Sequence, residues 1–481
     1  MVTDRQLTGP RIGLFGIGLA AYWPQFAGLR ERLEGYQSVV RSRLQEFGAD
    51  VIDAGLVDSV TRAHEAGELF ARERVSLVFC YVATYATSSV VLPVVQRAKC
   101  PVVVLNLQPV PALDYLRTDT AEWLANCCTC CVPEISCAFA RAHIPFHVVS
   151  GMLGDDERAW GEIRSWVQAT LVTEVLSRTR IGFLGHTYPG MLDMYSDFTR
   201  LQAELGIHIE ILEMEDLQLR IAAVSPEEKK RKREEIFALF EIADPGRDRI
   251  AKPVTEEVLD WTITVACGLD RLVRDFELGG LSYYYRGLNE NEFEQIAAAM
   301  IVGASLLTAR GIPCAGEGDI KTCLAMKIMD LLGCGGSFTE FYAMDFNEQF
   351  VLMGHDGPGH VAISEGRPVL RALGLYHGKR GYGISVEFNV RLGPVTILGM
   401  TETGDGRVKL LAAEGESIPG ERLQIGNTNS RIRFKLGPAE FVDAWCGEGP
   451  THHVALGVGH QARTLSKVAR LLGVEYRVVA A

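Results

Sequence analysis

The sequence alternates short apolar runs with longer amphipathic stretches, and this alternation begins again near the middle of the chain. RIGLFGIG at residues 11–18 is followed by an amphipathic stretch at 25–48, and RIGFLG at 180–185 opens the second series. Continuous apolar runs bounded by turn residues are typical of parallel strands that are covered on both faces. Strands that alternate with helices form doubly wound α/β sheets. We therefore predict two tandem doubly wound, Rossmann-like α/β domains.

The last third of the chain has a different pattern. Beyond about residue 338, short alternating runs of apolar and polar residues are separated by glycine and aspartate, most clearly at 381–418. A period of two that is interrupted by turn residues predicts antiparallel strands, and here a β-barrel-like domain. The 481 residues are too many for one hydrophobic core. The predicted domains span 1–176, 177–338 and 339–481.

Charge and hydropathy restrict the kinds of partner. The chain has 48 Lys and Arg against 60 Asp and Glu, a net charge of −12, which disfavours nucleic acids and anionic membrane surfaces. The apolar stretch at 296–307 is shorter than the roughly 18 residues typical of a membrane-spanning helix, so we predict a buried helix there. The N-terminus has no signal-peptide core. We expect a cytoplasmic protein with a small-molecule partner, no nucleic acid and no membrane.

A glycine-rich turn follows the first predicted strand. GIGLAA at 16–21 fits the G-x-G-x-x-A pattern of dinucleotide sites. The acidic residue expected about 20 positions later is missing, because Tyr36 and Ser38 stand there. We therefore predict a tight strand-to-helix turn rather than a nucleotide site.

Five of the twelve cysteines fall within CCTCCVPEISC at 127–137. Adjacent cysteines have poor geometry for a disulfide with each other. The run also lacks the usual arrangement of two C-x2-C pairs that holds zinc. We predict buried, small apolar residues here, with a metal or redox site as the alternative.

Acidic and histidine residues occur beside glycines at four places in the second half of the chain. Carboxylates and imidazoles together suit a divalent ion such as Mn²⁺. None of the spacings is a local metal motif, so polar loop residues and hydrogen-bonded histidines remain the alternative. Asp319 stands where the N-cap of a following helix is expected. The candidates are Glu317, Asp319, Glu340, His355, Asp356, His360, His452, His453 and His460.

A divalent ion held by two glutamates and two histidines keeps positions open for two neighbouring sugar oxygens. It would polarise the C1 carbonyl and lower the pKa of the adjacent hydroxyl group. One carboxylate can then take the C2 proton and a second can return a proton at C1. This chemistry is aldose–ketose isomerisation through a cis-enediol.

Four short segments resemble the L-arabinose isomerase family, within the wider L-fucose/L-arabinose isomerase group. They are GEGDIKT at 316–322, GGSFTEFY at 335–342, GH at 354–355 and HH at 452–453, and they occur in the family's order. Weaker similarity extends over almost the whole chain. The resemblance implies two α/β domains followed by a β-barrel-like domain, in agreement with the patterning.

The resemblance also implies roles for individual residues. It implies a metal, usually Mn²⁺ or another divalent ion, held by Glu317, Glu340, His355 and His453. The two glutamates would also serve as the catalytic acid/base pair, and His452 would face the substrate. Family members assemble into trimers or hexamers with active sites at subunit contacts, so a homo-oligomer is implied.

The sugar-binding shell departs from the family pattern. Leu19 and Ala20 stand where the family has a polar Gln–His pair, and CCTCCVPE occupies the loop that carries a substrate-contacting histidine. L-Arabinose itself is therefore not the expected substrate. We predict substrate contacts from Tyr22, Tyr342 and Arg286. Arg286 would match an anionic substituent, with a structural or surface arginine as the alternative.

These observations favour a Mn²⁺-dependent aldose–ketose isomerase, an intramolecular oxidoreductase, acting on a sugar or modified sugar other than L-arabinose. A metal-assisted epimerase or related enzyme acting on a sugar-derived acid is one alternative. A non-catalytic sugar-binding protein is another, since tandem α/β domains also occur in binding proteins.

Overall fold

The computed structural model describes residues 9–247, 251–286, 291–372, 375–376, 379–380 and 383–480. The chain divides into two compact units, Met1–Glu174 and Val175–Ala481. The boundary falls near the end of one long helix, Glu157–Leu176. The finer division into three domains stays a prediction.

The first unit contains a parallel sheet of five strands in the order β2-β1-β3-β4-β5. Strand β3 is buried along its whole length, as a run without polar alternation requires. The strand order reverses between β1 and β3, and loops at such a point form the usual ligand crevice of a doubly wound sheet. The elements are β1 (Arg11–Ile17), α1 (Leu29–Glu46), β2 (Asp50–Val57), α2 (Val60–Glu73), β3 (Leu77–Val82), α3 (Leu92–Ala98), β4 (Val102–Gln108), α4 (Thr120–Ala125), α5 (Val132–Arg141), β5 (Phe146–Met152) and α6 (Glu157–Leu176).

The second unit begins with another parallel sheet, in the order β10-β9-β6-β7. The restart of the strand–helix pattern at residue 180 is therefore confirmed, because β6 begins there. The elements are β6 (Arg180–Gly185), α7 (Phe198–Leu205), β7 (His208–Leu212), α8 (Met214–Ala222), α9 (Pro226–Leu239), β8 (Glu241–Ile242), α10 (Glu256–Asp275), β9 (Gly280–Tyr284), α11 (Glu292–Ala298), α12 (Met300–Ala309), β10 (Cys314–Ala315) and α13 (Ile320–Leu331).

The apolar stretch at 296–307 forms parts of α11 and α12, and most of α12 is buried as predicted. Among the described residues, no single helix has the length and hydropathy needed to cross a membrane. The bent pair α11 and α12, with 42° between its helices, passes that test only when both are taken together, by length and composition alone.

Six of the later strands form a closed antiparallel barrel, while β16 and β13 join β8 in a separate sheet and β14 pairs with β15. The order is β17-β20-β11-β12-β19-β18, and β18 pairs back with β17, while β21 adds to β18 in parallel. The predicted fold class, with a barrel-like C-terminal part, is confirmed. The elements are β11 (Gly335–Asp345), β12 (Phe350–His355), β13 (Val369–Ala372), β14 (Leu375–Tyr376), β15 (Lys379–Arg380), β16 (Ile384–Glu387), β17 (Gly393–Glu402), β18 (Val408–Ile418), β19 (Thr428–Phe434), α14 (Pro438–Gly447), β20 (His453–Val458), α15 (Ala462–Leu472) and β21 (Glu475–Val478).

Candidate active site

The GEGD turn between β10 and α13 places Glu317 at the candidate site. Glu317 and Gly318 both have left-handed backbones, with φ of 60° and 72°. A Cβ at position 318 would lie 2.5 Å from the carbonyl oxygen of His186, so only glycine fits. The left-handed conformation costs a non-glycine residue roughly 1–2 kcal/mol. The carbonyl of Glu317 accepts a hydrogen bond from the Tyr188 N–H at 2.8 Å, which helps hold this turn.

Three neighbouring barrel strands supply the other candidate residues. On β11, Glu340 lies directly opposite Gly354 of β12 on one side and His453 of β20 on the other. His355 follows Gly354 at the end of β12. A Cβ on Gly354 would lie 1.8 Å from the carbonyl oxygen of Thr428, so glycine permits the close approach of β12 and β19. The register therefore brings one glutamate and two histidines to the same part of the barrel.

The two buried histidines face each other. Nε2 of His355 lies 3.1 Å from Nε2 of His453, and the two side chains have exposed fractions of only 3% and 0%. The ring of Phe338 packs 4.3 Å from both imidazole rings, measured between centroids. Glu317 completes the group, with Oε2 at 3.8 Å from Nε2 of His453.

Asp319 determines which nitrogen of His453 is available. Its Oδ2 lies 2.9 Å from Nδ1 of His453, so the imidazole proton resides on Nδ1 and leaves Nε2 as an electron-pair donor. Its Oδ1 accepts from the Thr322 N–H at 2.9 Å, which confirms the predicted N-cap of α13. Burial raises the pKa of Asp319, but the hydrogen bonds from His453 and Thr322 outweigh it and hold the pKa below its ordinary value.

A second aspartate holds His452. Asp193 Oδ2 lies 2.6 Å from Nδ1 of His452 and accepts its backbone N–H at 3.0 Å. Nε2 of His452 is 3.9 Å from Oε2 of Glu317. Burial lowers the pKa of His452, but the carboxylates of Asp193 and Glu317 outweigh this and raise it to about 10. Asp193 was not among the predicted site residues, although an acidic residue in the loop after a parallel strand was a usable signal.

His355 has two possible proton positions. Gly357 donates its N–H to Nδ1 at 2.9 Å, which places the imidazole proton on Nε2, toward His453. Asp356 Oδ1 also lies 3.2 Å from Nδ1. A proton on Nδ1, directed at Asp356, would free Nε2 for a metal ion.

The ligand atoms form two overlapping groups of three, each within 4.8 Å of one another. Glu317 and His355 share His453 with the second group, formed by Glu340 and His452. Within the described ranges, the buried Oε2 of Glu317 makes no hydrogen bond. A buried carboxylate oxygen beside imidazole nitrogens fits a divalent cation by both charge and ligand type. Each of the other three predicted ligands thus lies in a group with His453, and His452 lies beside them.

Comparisons with known proteins agree with this arrangement. Residues 335–475 match the L-arabinose isomerase C-terminal domain family, and this range includes Glu340, His355, His452 and His453. An L-arabinose isomerase of Acidothermus cellulolyticus is 25% identical over 352 residues, covering 71% of this chain and 68% of the relative. Another from a Nocardioides species is 22% identical and covers 84% of this chain and 80% of the relative. The chain is therefore similar to L-arabinose isomerases over most of its length. A sulfoquinovose isomerase of Priestia megaterium is also similar, at 22% identity, covering 69% of this chain and 72% of the relative.

Burial affects the side chains of Glu340 and Tyr342 on β11. Burial raises the pKa of the Glu340 carboxyl, and the neighbouring His453 and His452 offset only part of that rise. Burial likewise raises the pKa of Tyr342, whose hydroxyl accepts a hydrogen bond from Asn427 Nδ2 at 3.1 Å. Tyr342 therefore remains protonated and able to donate a hydrogen bond.

The other two predicted substrate contacts do not lie on the barrel strands. Arg286 is exposed just beyond β9, and its predicted role as an anion contact stays a prediction. Tyr22 belongs to the first unit, where it ends a short turn of 3₁₀ helix and packs edge-on against Phe26 at 6.2 Å. Its role as a substrate contact also stays a prediction.

The cysteine run at 127–137 differs in part from the prediction. Cys127, Cys128 and Cys131 are buried as expected, but Cys130 and Cys137 are exposed. The run also contains C-x2-C spacing twice, at 127/130 and 128/131, interleaved rather than separated. The prediction of buried, small apolar residues did not take this interleaved spacing into account.

Proposed function

We propose that this protein is a divalent-metal-dependent aldose–ketose isomerase acting on a sugar or modified sugar other than L-arabinose. The observation that carries the proposal is the convergence of Glu317, Glu340 and His355 on His453. The buried Oε2 of Glu317, which makes no hydrogen bond to any residue that the structure describes, supports a cation at this place. Glu317, Glu340, His355 and His453 would hold the ion, and Mn²⁺ is the proposed metal.

The donor set suits sugar isomerisation. When bound, the ion would polarise the carbonyl of the open-chain sugar and acidify the neighbouring hydroxyl group. Asp319 keeps the Nδ1 proton of His453 in place, so Nε2 points its electron pair at the site. Phe338 packs on the rings of His355 and His453 and limits their rotation.

The two glutamates are proposed to move the proton between C2 and C1 of the sugar through a cis-enediol. One carboxylate takes the proton from C2 and the other returns a proton at C1, while the hydroxyl proton passes from O2 to O1. A general base works best when its pKa lies near the working pH. Burial raises the pKa of Glu340 in that direction, which supports its use as one member of the pair.

Three kinds of group are proposed to bind the sugar. His452, held by Asp193, presents a positive charge beside Glu317. Tyr342 offers a hydroxyl donor, and Tyr22 is a further proposed contact. Arg286 is proposed to bind an anionic substituent of the sugar. Similarity to a relative named sulfoquinovose isomerase supports this proposal.

The proposed assembly rests on the family resemblance, and the proposed compartment rests on the sequence-based expectation. We propose a homo-oligomer, a trimer or hexamer, that works in the cytoplasm. Sedimentation of the purified protein checks the first of these, and a monomer at micromolar concentration would contradict it.

The test of the proposed function is a screen of neutral and anionic aldoses with metal-free protein, with and without Mn²⁺, in D2O. NMR should show a ketose only with Mn²⁺, carrying deuterium at the carbon that receives the proton. A C2-epimeric aldose as the product would instead support the epimerase alternative. Sugar binding without any turnover would support a binding protein and overturn the proposal.

A further inference from the structure

Cys127 and Cys130 lie in the first unit and take no part in the proposed reaction. They precede α5, with the 3₁₀ turn Thr129–Cys131 between α4 and α5. A C-x2-C pair near the start of a helix in an α/β domain is the arrangement of many redox-active dithiols. The spacing alone does not distinguish a redox-active dithiol from a metal site, but the positions of the sulfur atoms do.

The two sulfur atoms lie against each other. Sγ of Cys127 is 2.7 Å from Sγ of Cys130, and the Cys130 thiol also approaches the Cys127 carbonyl at 3.3 Å. Both residues are free cysteines. A disulfide needs its sulfurs at about 2.05 Å, so a small movement of either side chain would join them.

The thiols of the interleaved pair, Cys128 and Cys131, point to backbone carbonyls. Sγ of Cys128 points to the Leu107 carbonyl at 3.7 Å, and Sγ of Cys131 points to the Thr84 carbonyl at 3.9 Å. The four sulfurs therefore do not converge as a tetrathiolate metal site requires. Over the described part of the chain, the clusters with metal-binding geometry include no cysteine. Two-thiol chemistry fits this geometry better than a metal does.

We propose that Cys127 and Cys130 form a redox-active dithiol that is oxidised to a disulfide by exchange with a low-molecular-weight disulfide. Cys130 is exposed and Cys127 is buried, so the incoming disulfide meets Cys130 first. Burial, together with the hydrogen bond to Cys130, raises the pKa of the Cys127 thiol. Cys127 is thus the second, resolving thiol of the pair.

The exchange balances without a further oxidant. The Cys130 thiolate attacks one sulfur of the small disulfide, forms a mixed disulfide and releases one small thiol. Cys127 then loses its proton to solvent, attacks the Cys130 sulfur and expels the second small thiol. Two protein thiols are oxidised by two electrons while one small disulfide is reduced to two thiols.

The modification would lie beside Tyr22. Burial is the main cause of the raised pKa of Tyr22, and Cys127 and Cys130 contribute to it as neighbours. The dithiol is therefore close to the turn that follows β1, at the carboxyl edge of the first sheet.

Oxidised glutathione is the probe for the test. The reduced, full-length protein is incubated with it, alkylated and measured by intact mass, and the tryptic peptide between Arg117 and Arg141 is then fragmented. Wild-type protein should lose two hydrogen atoms within that peptide and regain them with dithiothreitol. Cys127→Ser should instead accumulate one glutathione on Cys130, because its resolving thiol is missing.

The controls separate this pair from the other thiols of the same peptide. Cys130→Ser should block the loss of two hydrogens, whereas Cys137→Ser, which removes another exposed cysteine, should leave it intact. Internal oxidation that persists in Cys130→Ser would overturn the proposal. A wild-type protein that keeps glutathione on Cys130 without resolving it would overturn it as well.

Discussion

Oδ2 of Asp319 lies 2.9 Å from Nδ1 of His453, and neither side chain is exposed to solvent. The same carboxylate caps α13 through the Thr322 N–H. One residue therefore connects the start of a helix to a histidine on a barrel strand. A carboxylate in this position orients the imidazole and makes its free nitrogen a better metal ligand.

Asp319→Asn should weaken Mn²⁺ binding by about 10–100-fold, the range typical for loss of such a partner. Asparagine caps helices about as well as aspartate, so α13 should keep its start. Titration calorimetry measures the affinity, and thermal unfolding checks the fold. Asp197→Asn, at the N-cap of α7, is the matched control and should bind metal normally. Wild-type affinity in Asp319→Asn would refute the positioning role.

Glu340→Gln and Glu317→Gln should each abolish turnover with little change in thermal stability. General acid–base catalysis contributes roughly 10²–10⁴-fold to rates, so we expect at least that loss in kcat. Steady-state kinetics on the sugar found in the screen measures it. Glu348→Gln is the control, because Glu348 is exposed and pairs with Arg431 outside the site. A near-normal kcat in Glu317→Gln or Glu340→Gln would contradict the assignment of that glutamate to the acid/base pair.

Asp193→Asn should raise KM for the sugar while Mn²⁺ affinity stays as in the wild type. Asp193 holds His452 through two hydrogen bonds, and His452 is a proposed substrate contact. Parallel measurements of KM and of the metal dissociation constant separate the two effects. A weakened metal site with unchanged KM would place His452 among the ligands instead.

Gly318→Ala should destabilise the protein more than Gly333→Ala does. Both glycines have φ above +70°, but only a Cβ at 318 would collide, at 2.5 Å from the His186 carbonyl. Gly333→Ala meets nothing within 4 Å and therefore isolates the backbone strain. Urea unfolding compares the two variants. Equal losses would show that the close approach at Gly318 is not a constraint.

The elements with strong periodicity were predictable from sequence. The apolar run at 11–18 contains β1 (Arg11–Ile17), and the second strand–helix series begins at residue 180. The N-cap was also predictable, since Asp319 does cap α13. These features depend on residues close together in the chain.

Contacts between segments that are distant in the chain could not be predicted from the sequence. Asp193 lies 259 residues before His452, and no spacing rule links an aspartate in one loop to a histidine in another. The second bond of Asp319, to His453 across 134 residues, was missed for the same reason. The packing of Phe338 on two imidazoles was not predicted either, because it depends on barrel closure. Resemblance supplied the ligand set that spacing could not.

Equilibrium dialysis of metal-free protein against Mn²⁺ tests whether the chain binds one divalent ion through His453, which belongs to both groups of ligand atoms. We expect one Mn²⁺ ion per wild-type chain and turnover that rises with metal occupancy. His453→Ala should lose both the bound ion and the turnover. His460→Ala is the matched control, because the His460 ring is exposed and contacts only the Gly415 carbonyl among the described hydrogen bonds. Unchanged metal occupancy in His453→Ala, or full turnover by metal-free protein, would contradict the account.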